Sequence, residues 1–143
     1  MVNTITLKGE TTKLIPLKNR RKDFLRIMHA DAPVPVERYS DKHFLSKQFI
    51  MRFERTRFPN RHMHFGVTTS IKSVSKLAVE RNFARRRVRY ALNRWVRRYD
   101  VIGWDVLIIA RKAILKSAYK ELEEEMRDAL GHLERVKRRY KYK

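Results

Sequence analysis

The chain contains no cysteine, which excludes a disulfide framework, an iron–sulfur cluster and a thiolate zinc site. Its four glycines lie far apart, so no glycine-rich loop is available to cradle a phosphate. No nucleophile-elbow motif supports a serine hydrolase either. No apolar run approaches the roughly 18 to 20 residues of a membrane-spanning helix, and there is no lipidation motif. Met1 to Leu7 lack the apolar core of a signal peptide, and the alternation of Val2, Ile5 and Leu7 with Thr and Asn does not resemble a transit peptide. A cytoplasmic protein without a membrane partner is expected. Acid is scarce as well, with 15 Asp and Glu against 35 Lys and Arg. Asp23, Asp31, Glu37, Asp41, Glu54, Glu80, Asp100 and Asp105 are scattered singly. The one cluster, Glu121, Glu123, Glu124 and Glu125, is splayed around a single helix axis. A protein-borne metal nuclease needs carboxylates that converge on a divalent ion, so neither a catalytic residue nor a metal site is expected in the protein itself.

What remains is positive charge. A formal net charge of +20 on 143 residues favours polyanions through release of their condensed counterions, and the length suits one domain with a real core. Between Glu80 and Arg89 five arginines fall within nine positions. At about 100° per residue, Ala84, Val88, Ala91, Leu92, Trp95 and Tyr99 gather on one apolar stripe, while Arg81, Asn82, Arg85, Arg86 and Arg89 fan out along a flank. Guanidinium forks match phosphate oxygens and stay charged. With only Glu80 as an opposing charge, the row repels itself unless a polyanion arrives. Phe83 points away from the stripe, about 200° from Arg81, as either an exposed base-stacking aromatic or one covered by a loop. Trp95 and Tyr99 are assigned to the core. No short turn joins two helices ahead of the arginine run, so a DNA-binding regulator is not expected.

Along the chain, residues 1–16 carry no strong pattern and read as an arm that orders on a partner. Leu17 to Met28 has helical character, with Phe24 and Met28 on an apolar edge, and Pro33 and Pro35 end it. His43 to Phe53 reads as one strand, with Phe49, Met51 and Phe53 on one face and Gln48, Ile50 and Arg52 on the other. His64 to Ser70 reads as a second strand, paired with the first as a hairpin through the basic loop around Arg57 to Arg61. His62 and His64, two apart, are either a pair of metal ligands or, the more ordinary reading, solvated or RNA-facing histidines. After the arginine helix, Asp105 to Ala110 is continuously apolar beyond its first residue, as a strand buried on both sides would be. Ser117 to about Arg138 repeats apolar residues with helical period at Ala118, Leu122, Met126, Ala129, Leu133 and Val136. Its acids come early and its bases late, complementing the helix dipole. The acidic half is expected to be solvated, and residues 137–143 form a basic tail.

Taken in order, these segments resemble the protein subunit of bacterial ribonuclease P from about Leu17 to Leu133. Leu17-Lys18-Asn19 with Asp23-Phe24 is similar to that family's first helix, Lys47-Gln48-Phe49 to its first strand, and Phe65-Gly66-Val67-Thr68 to the strand leading into its signature. Ala78-Val79-Glu80-Arg81-Asn82 with Arg85-Arg86 and Arg89 resembles the Arg-Asn-Arg signature helix. Val106 to Lys112 resembles the strand that follows. Phe83 replaces the signature's second arginine, Arg52 stands where an aromatic residue often lines the substrate cleft, and the Ser70 to Ala78 connection is longer than usual and lacks the customary glycine. The resemblance implies an α/β chain of the α+β sandwich type, ordered helix, three strands, helix, strand, helix, with a left-handed βαβ crossover as an exception to the right-handed rule. It implies one domain over residues 17–136 and a ribonucleoprotein in which RNA is the catalyst. The protein would bind ribonuclease P RNA through Arg81, Asn82, Phe83, Arg85, Arg86, Arg89, Lys72 and Lys76. It would hold the 5′ leader of precursor tRNA in a cleft formed by Phe24, Met28, Ile50 and Arg52, and assist cleavage with Mg2+ bound mainly by the RNA. The alternatives are a structural RNA-binding protein of ribosomal type and a protein-only nuclease.

Overall fold

The computed structural model describes residues 3–7, 10–16, 37–55 and 63–141. Six strands form one sheet: β1 (Asn3–Leu7), β2 (Glu10–Pro16), β3 (His43–Leu45), β4 (Phe49–Arg55), β5 (Met63–Thr68) and β6 (Trp104–Ala110), in the spatial order β1-β2-β5-β6-β4-β3. Helix α1 (Ala78–Trp95) bridges β5 and β6, and α2 (Tyr119–Lys141) follows β6. The strands β3 to β6 and the two helices make a single α+β domain. The apolar run of β6 takes the central place that its composition requires, parallel to β5 and antiparallel to β4.

Register then sorts the sheet into two faces. Met51 lies opposite Ile108, which lies opposite Val67, and Phe53 opposite Val106, which lies opposite Phe65. These residues, with Val67 partly buried at the margin, join Ala84, Val88, Ala91 and Leu92 of α1 and Leu122, Met126, Ala129, Leu130, Leu133 and Val136 of α2 in one buried cluster. The other face carries Ile50, Arg52 and Leu107, which are buried but stand apart from that cluster. Both helices therefore pack on the same side of the sheet. Among the described residues no helix is long and apolar enough to cross a membrane.

Four expectations change. The strand from His43 to Phe53 is a tight hairpin, β3 against β4 with Phe44 opposite Met51, and Lys47 and Gln48 lie in its turn instead of a strand. The Ser46 hydroxyl makes that turn, accepting from the backbone N–H groups of Gln48 at 3.0 Å and Phe49 at 3.2 Å, as short hydroxyl side chains do in place of a glycine. Second, β4 and β5 do not pair: β6 lies between them, its backbone N–H and C=O groups paired on one edge with β4 and on the other with β5. The connecting loop falls outside the described residues, as does the expected helix from Leu17 to Met28. Third, the backbone at Asn3–Leu7 and Glu10–Pro16 is extended, and β2 runs parallel to β5. Finally, α1 stops at Trp95, a 3-10 turn (Val96–Arg98) follows, and α2 begins beyond the exposed Ala118 and continues through Lys141. Gly103, at φ +88°, supplies the left-handed residue that turns the chain into β6.

Candidate nucleic-acid interface

Helix α1 begins without a conventional cap. Leu77, at the N-cap position, is extended and offers no side-chain bond. Ser75 does that work: its hydroxyl accepts from the Leu77 N–H at 3.1 Å and donates to Glu80 Oε1 at 2.6 Å. Arg81 folds back over the same turn, one Nη1 donating to the carbonyls of Ser75 at 3.0 Å and Lys76 at 2.8 Å. Upstream, Ser70 and Ser73 exchange hydroxyl and backbone hydrogen bonds, and Val74 is buried beneath them. The exposed Lys72 and Lys76 are thus carried on a loop pinned at both ends.

The arginine row divides by what each guanidinium touches. Arg85 donates to Thr69 Oγ1 at 2.9 Å and to Asn82 Oδ1 at 3.0 Å, tying α1 to the end of β5 and leaving the Asn82 amide nitrogen outward. Arg87 donates to the carbonyls of Ile114 at 2.8 Å and Ser117 at 2.9 Å, and its guanidinium lies 5.1 Å from the Phe83 ring and 5.7 Å from that of Tyr119. Arg86 and Arg89 are exposed and make no hydrogen bond or ion pair among the described residues. They share the outer face of α1, opposite its buried stripe, with Val79 (76% exposed), Phe83 (40%) and Tyr90 (59%). Phe83 is therefore an aromatic with one face against Arg87 and the rest open. Unpartnered cations beside exposed rings on a rigid helix can take phosphate oxygens and stack unpaired bases.

Of the residues expected to form the leader cleft, only Ile50 and Arg52 fall among the described residues. Phe24 and Met28 lie outside the described residues. Ile50 and Arg52 do share one face of β4, but they are 5% and 6% exposed and present no open surface to a strand. Burial lowers the pKa of the Arg52 guanidinium. His62 is outside the described residues, whereas His64 is buried with its Nδ1 3.1 Å from Asp105 Oδ1, so it is neither solvated nor free to face RNA. No group of three or more His, Asp, Glu or Cys among the described residues could hold a metal ion.

Trp95 and Tyr99 are only partly buried and pack on the margin of the core. The Trp95 ring faces the guanidiniums of Arg98 and Arg127, both at 4.6 Å, because the last turn of α1 emerges from beneath α2. The acidic half of α2 is not wholly solvated either: Glu123 pairs with Arg94 at 3.2 Å and Glu125 with Arg38 at 3.3 Å. Burial raises the pKa of Glu125 despite Arg38. The Tyr119 hydroxyl is pushed up to about 12 by burial and by Glu123. Reading α2 for its apolar period alone missed the arginines of its other flank, Arg127, Arg135, Arg138 and Arg139, whose helical spacing around Gly131 was the available signal.

A family model described as ribonuclease P matches residues 37–134. Among solved structures, the fold is similar to the Staphylococcus aureus RNase P protein, at 20% identity over 81% of this chain and 92% of that one, with a TM-score of 0.59. It is also similar to the Thermotoga maritima RNase P protein, at 22% identity over 80% of this chain and 94% of that one, with a TM-score of 0.58. The T. maritima protein in complex with 1-(4-fluorophenyl)-2-thiourea gives 20% identity, 80% and 96% coverage and a TM-score of 0.60. No curated protein matches in sequence.

Proposed function

Because the chain belongs to the ribonuclease P protein family, we propose that it is the protein subunit of a ribonucleoprotein endonuclease, docking on the catalytic RNA through the outer face of α1 and assisting removal of the 5′ leader from precursor tRNA. The observation that carries this reading is the pair Arg86 and Arg89, exposed on a helix fixed at both ends and without a partner among the described residues. Lys72, Lys76 and the amide of Asn82 extend the same surface, Phe83 offers stacking where the family signature would place charge, and Tyr90 adds a second exposed ring. Arg81, Arg85 and Arg87 hold the helix in place, although Arg81 and Arg85 retain unused N–H donors for RNA.

In this reading the hydrolytic chemistry belongs to the RNA. The ions that activate water and stabilise the leaving oxygen would be held mainly by the RNA. The protein's contribution is electrostatic: a +20 chain offsets phosphate repulsion between catalytic RNA and substrate, which lowers the magnesium concentration needed for assembly.

The test is cleavage of a 5′-extended precursor tRNA at low magnesium by the ribonuclease P RNA of the same source, with and without this protein. Cleavage at the mature 5′ end only when both are present is expected. Tight RNA binding without stimulation would make it a structural RNA-binding protein, and cleavage by the protein alone would overturn the RNA-catalyst reading.

A further inference from the structure

A second basic surface lies on α2, and it shares no residue with the outer face of α1. Two recesses meet there. One, of about 610 Å³, is lined by Tyr39, His132, Arg135, Arg138 and Arg139. The other, of about 420 Å³, is bordered by Arg38, Tyr39, Tyr99, Arg127, Gly131 and Arg135 among others. Tyr39, 50% exposed, and Arg135 border both, and the Arg38 guanidinium lies 5.6 Å from the Tyr39 ring.

The ring is held from behind. His132 lies 5.3 Å from Tyr39, tilted by 37°, is tilted likewise against Phe44 and meets Phe53 edge-on. Its Nε2 lies 2.6 Å from the Ser40 carbonyl; a carbonyl only accepts, so Nε2 carries the hydrogen. Burial lowers the imidazole pKa, which leaves an uncharged ring as the backing of a platform. Gly131 lines the recess, where a Cβ would sit in ordinary contact with Tyr99 Cε1 at 3.6 Å and Arg135 Nη1 at 3.7 Å.

The surrounding arginines are not equivalent. Arg38 pairs with Glu125 and Asp128, Arg138 with Glu134, and Arg139 with Asp41, while Arg127 stacks on Trp95. Arg135 has no carboxylate partner among the described residues, yet it borders both recesses. An aromatic ring with a guanidinium nearby that meets no carboxylate among the described residues fits a base on the ring and a phosphate on the cation.

We propose that the recess between Tyr39 and Arg135 binds an unpaired nucleotide of an RNA strand, with the base stacked on Tyr39 and the phosphate on Arg135. The inference rests on the subunit reading only for the RNA partner. It adds a second contact on the far flank of α2, so that one RNA, or RNA and substrate together, would touch two separate surfaces of the protein.

The test titrates the full-length, 15N-labelled protein with a short single-stranded oligoribonucleotide, following the backbone amides of Gly131, His132 and Arg135. Saturable movement is expected, weakened about tenfold by Tyr39→Ala and by an abasic analogue of the strand. Tyr39→Phe should retain it, Arg135→Ala should lower the salt slope by about one counterion, and the Arg86→Ala/Arg89→Ala double variant should leave these amides unaffected. Still resonances, equal binding of the abasic strand, or saturation by adenosine 5′-monophosphate as tight as by the strand would overturn the proposal. Precursor cleavage is measured in parallel. Stimulated cleavage with still resonances refutes the recess alone, and intact titration without stimulation refutes the subunit reading alone.

Discussion

Helix α1 carries five arginines between positions 81 and 89 against a single acid, Glu80, whereas α2 carries four between 127 and 139 interleaved with Asp128 and Glu134. On α2 the charge is largely answered within the protein: Arg138 meets Glu134, Lys137 meets Asp100 at 2.6 Å, and Arg139 meets Asp41. On α1 no arginine from 81 to 89 pairs with a carboxylate among the described residues. Three of them bind neutral oxygens instead and keep their full charge, and two bind nothing described. Exposed ion pairs contribute little to stability, so α2 holds its place through Leu122, Met126, Leu130 and Leu133, which are fully buried. Arginine density alone therefore does not distinguish the two helices; the partners of each guanidinium do.

That contrast can be broken at several points. The largest effect is expected where both helices meet the core: Leu92→Ala should cost about 2 to 5 kcal/mol by cavity formation, read by chemical denaturation, and a value near zero would mean that α1 is not anchored there. Next, Arg87→Ala should destabilise by about 1 to 3 kcal/mol through two lost carbonyl hydrogen bonds while leaving the salt slope of RNA binding unchanged. A changed slope with unchanged stability would reverse its assignment. Trp95→Ala should cost less than a core tryptophan, about 1 to 2 kcal/mol, because the ring is half-buried between two cations; thermal unfolding distinguishes this from a core loss of more than 3 kcal/mol.

The smallest effect concerns His132. Burial holds its folded pKa below the usual value, so the unfolded chain takes up the proton first as pH falls. Its contribution is fully present above about pH 6.5 and declines as pH drops from there toward the folded pKa. Stability should therefore fall over that window in the native protein and fall less in His132→Gln. Parallel pH curves for the two proteins would contradict the assignment.

Much of the fold was legible because burial leaves a pattern. The run from Val106 to Ala110 announced a central strand, and the spacing of Leu122, Met126, Ala129, Leu133 and Val136 announced a packed helix. The β3–β4 turn was not legible, since Ser46-Lys47-Gln48 contains neither glycine nor proline and the hydroxyl that shapes it works through hydrogen bonds. Nor could adjacency in sequence reveal that β6 would separate β4 from β5, because strand order is set by which edges pair across the whole fold. At the site, spacing identified the arginine flank but could not tell Arg86 from Arg87. That difference depends on carbonyls at Ile114 and Ser117, brought under the helix only by the tertiary fold. The α2 recess was hidden for the same reason: Tyr39 and Arg135 meet only across the packed domain.

The most direct measurement is the salt dependence of binding to ribonuclease P RNA for the native protein, Arg86→Ala/Arg89→Ala and Arg87→Ala, with the folding of each checked by thermal unfolding. The double variant is expected to fold normally and to lower the slope of log K against log salt by about 2, while Arg87→Ala keeps the native slope. An unchanged slope in the double variant would contradict the claim that the outer face of α1 is where this protein meets RNA.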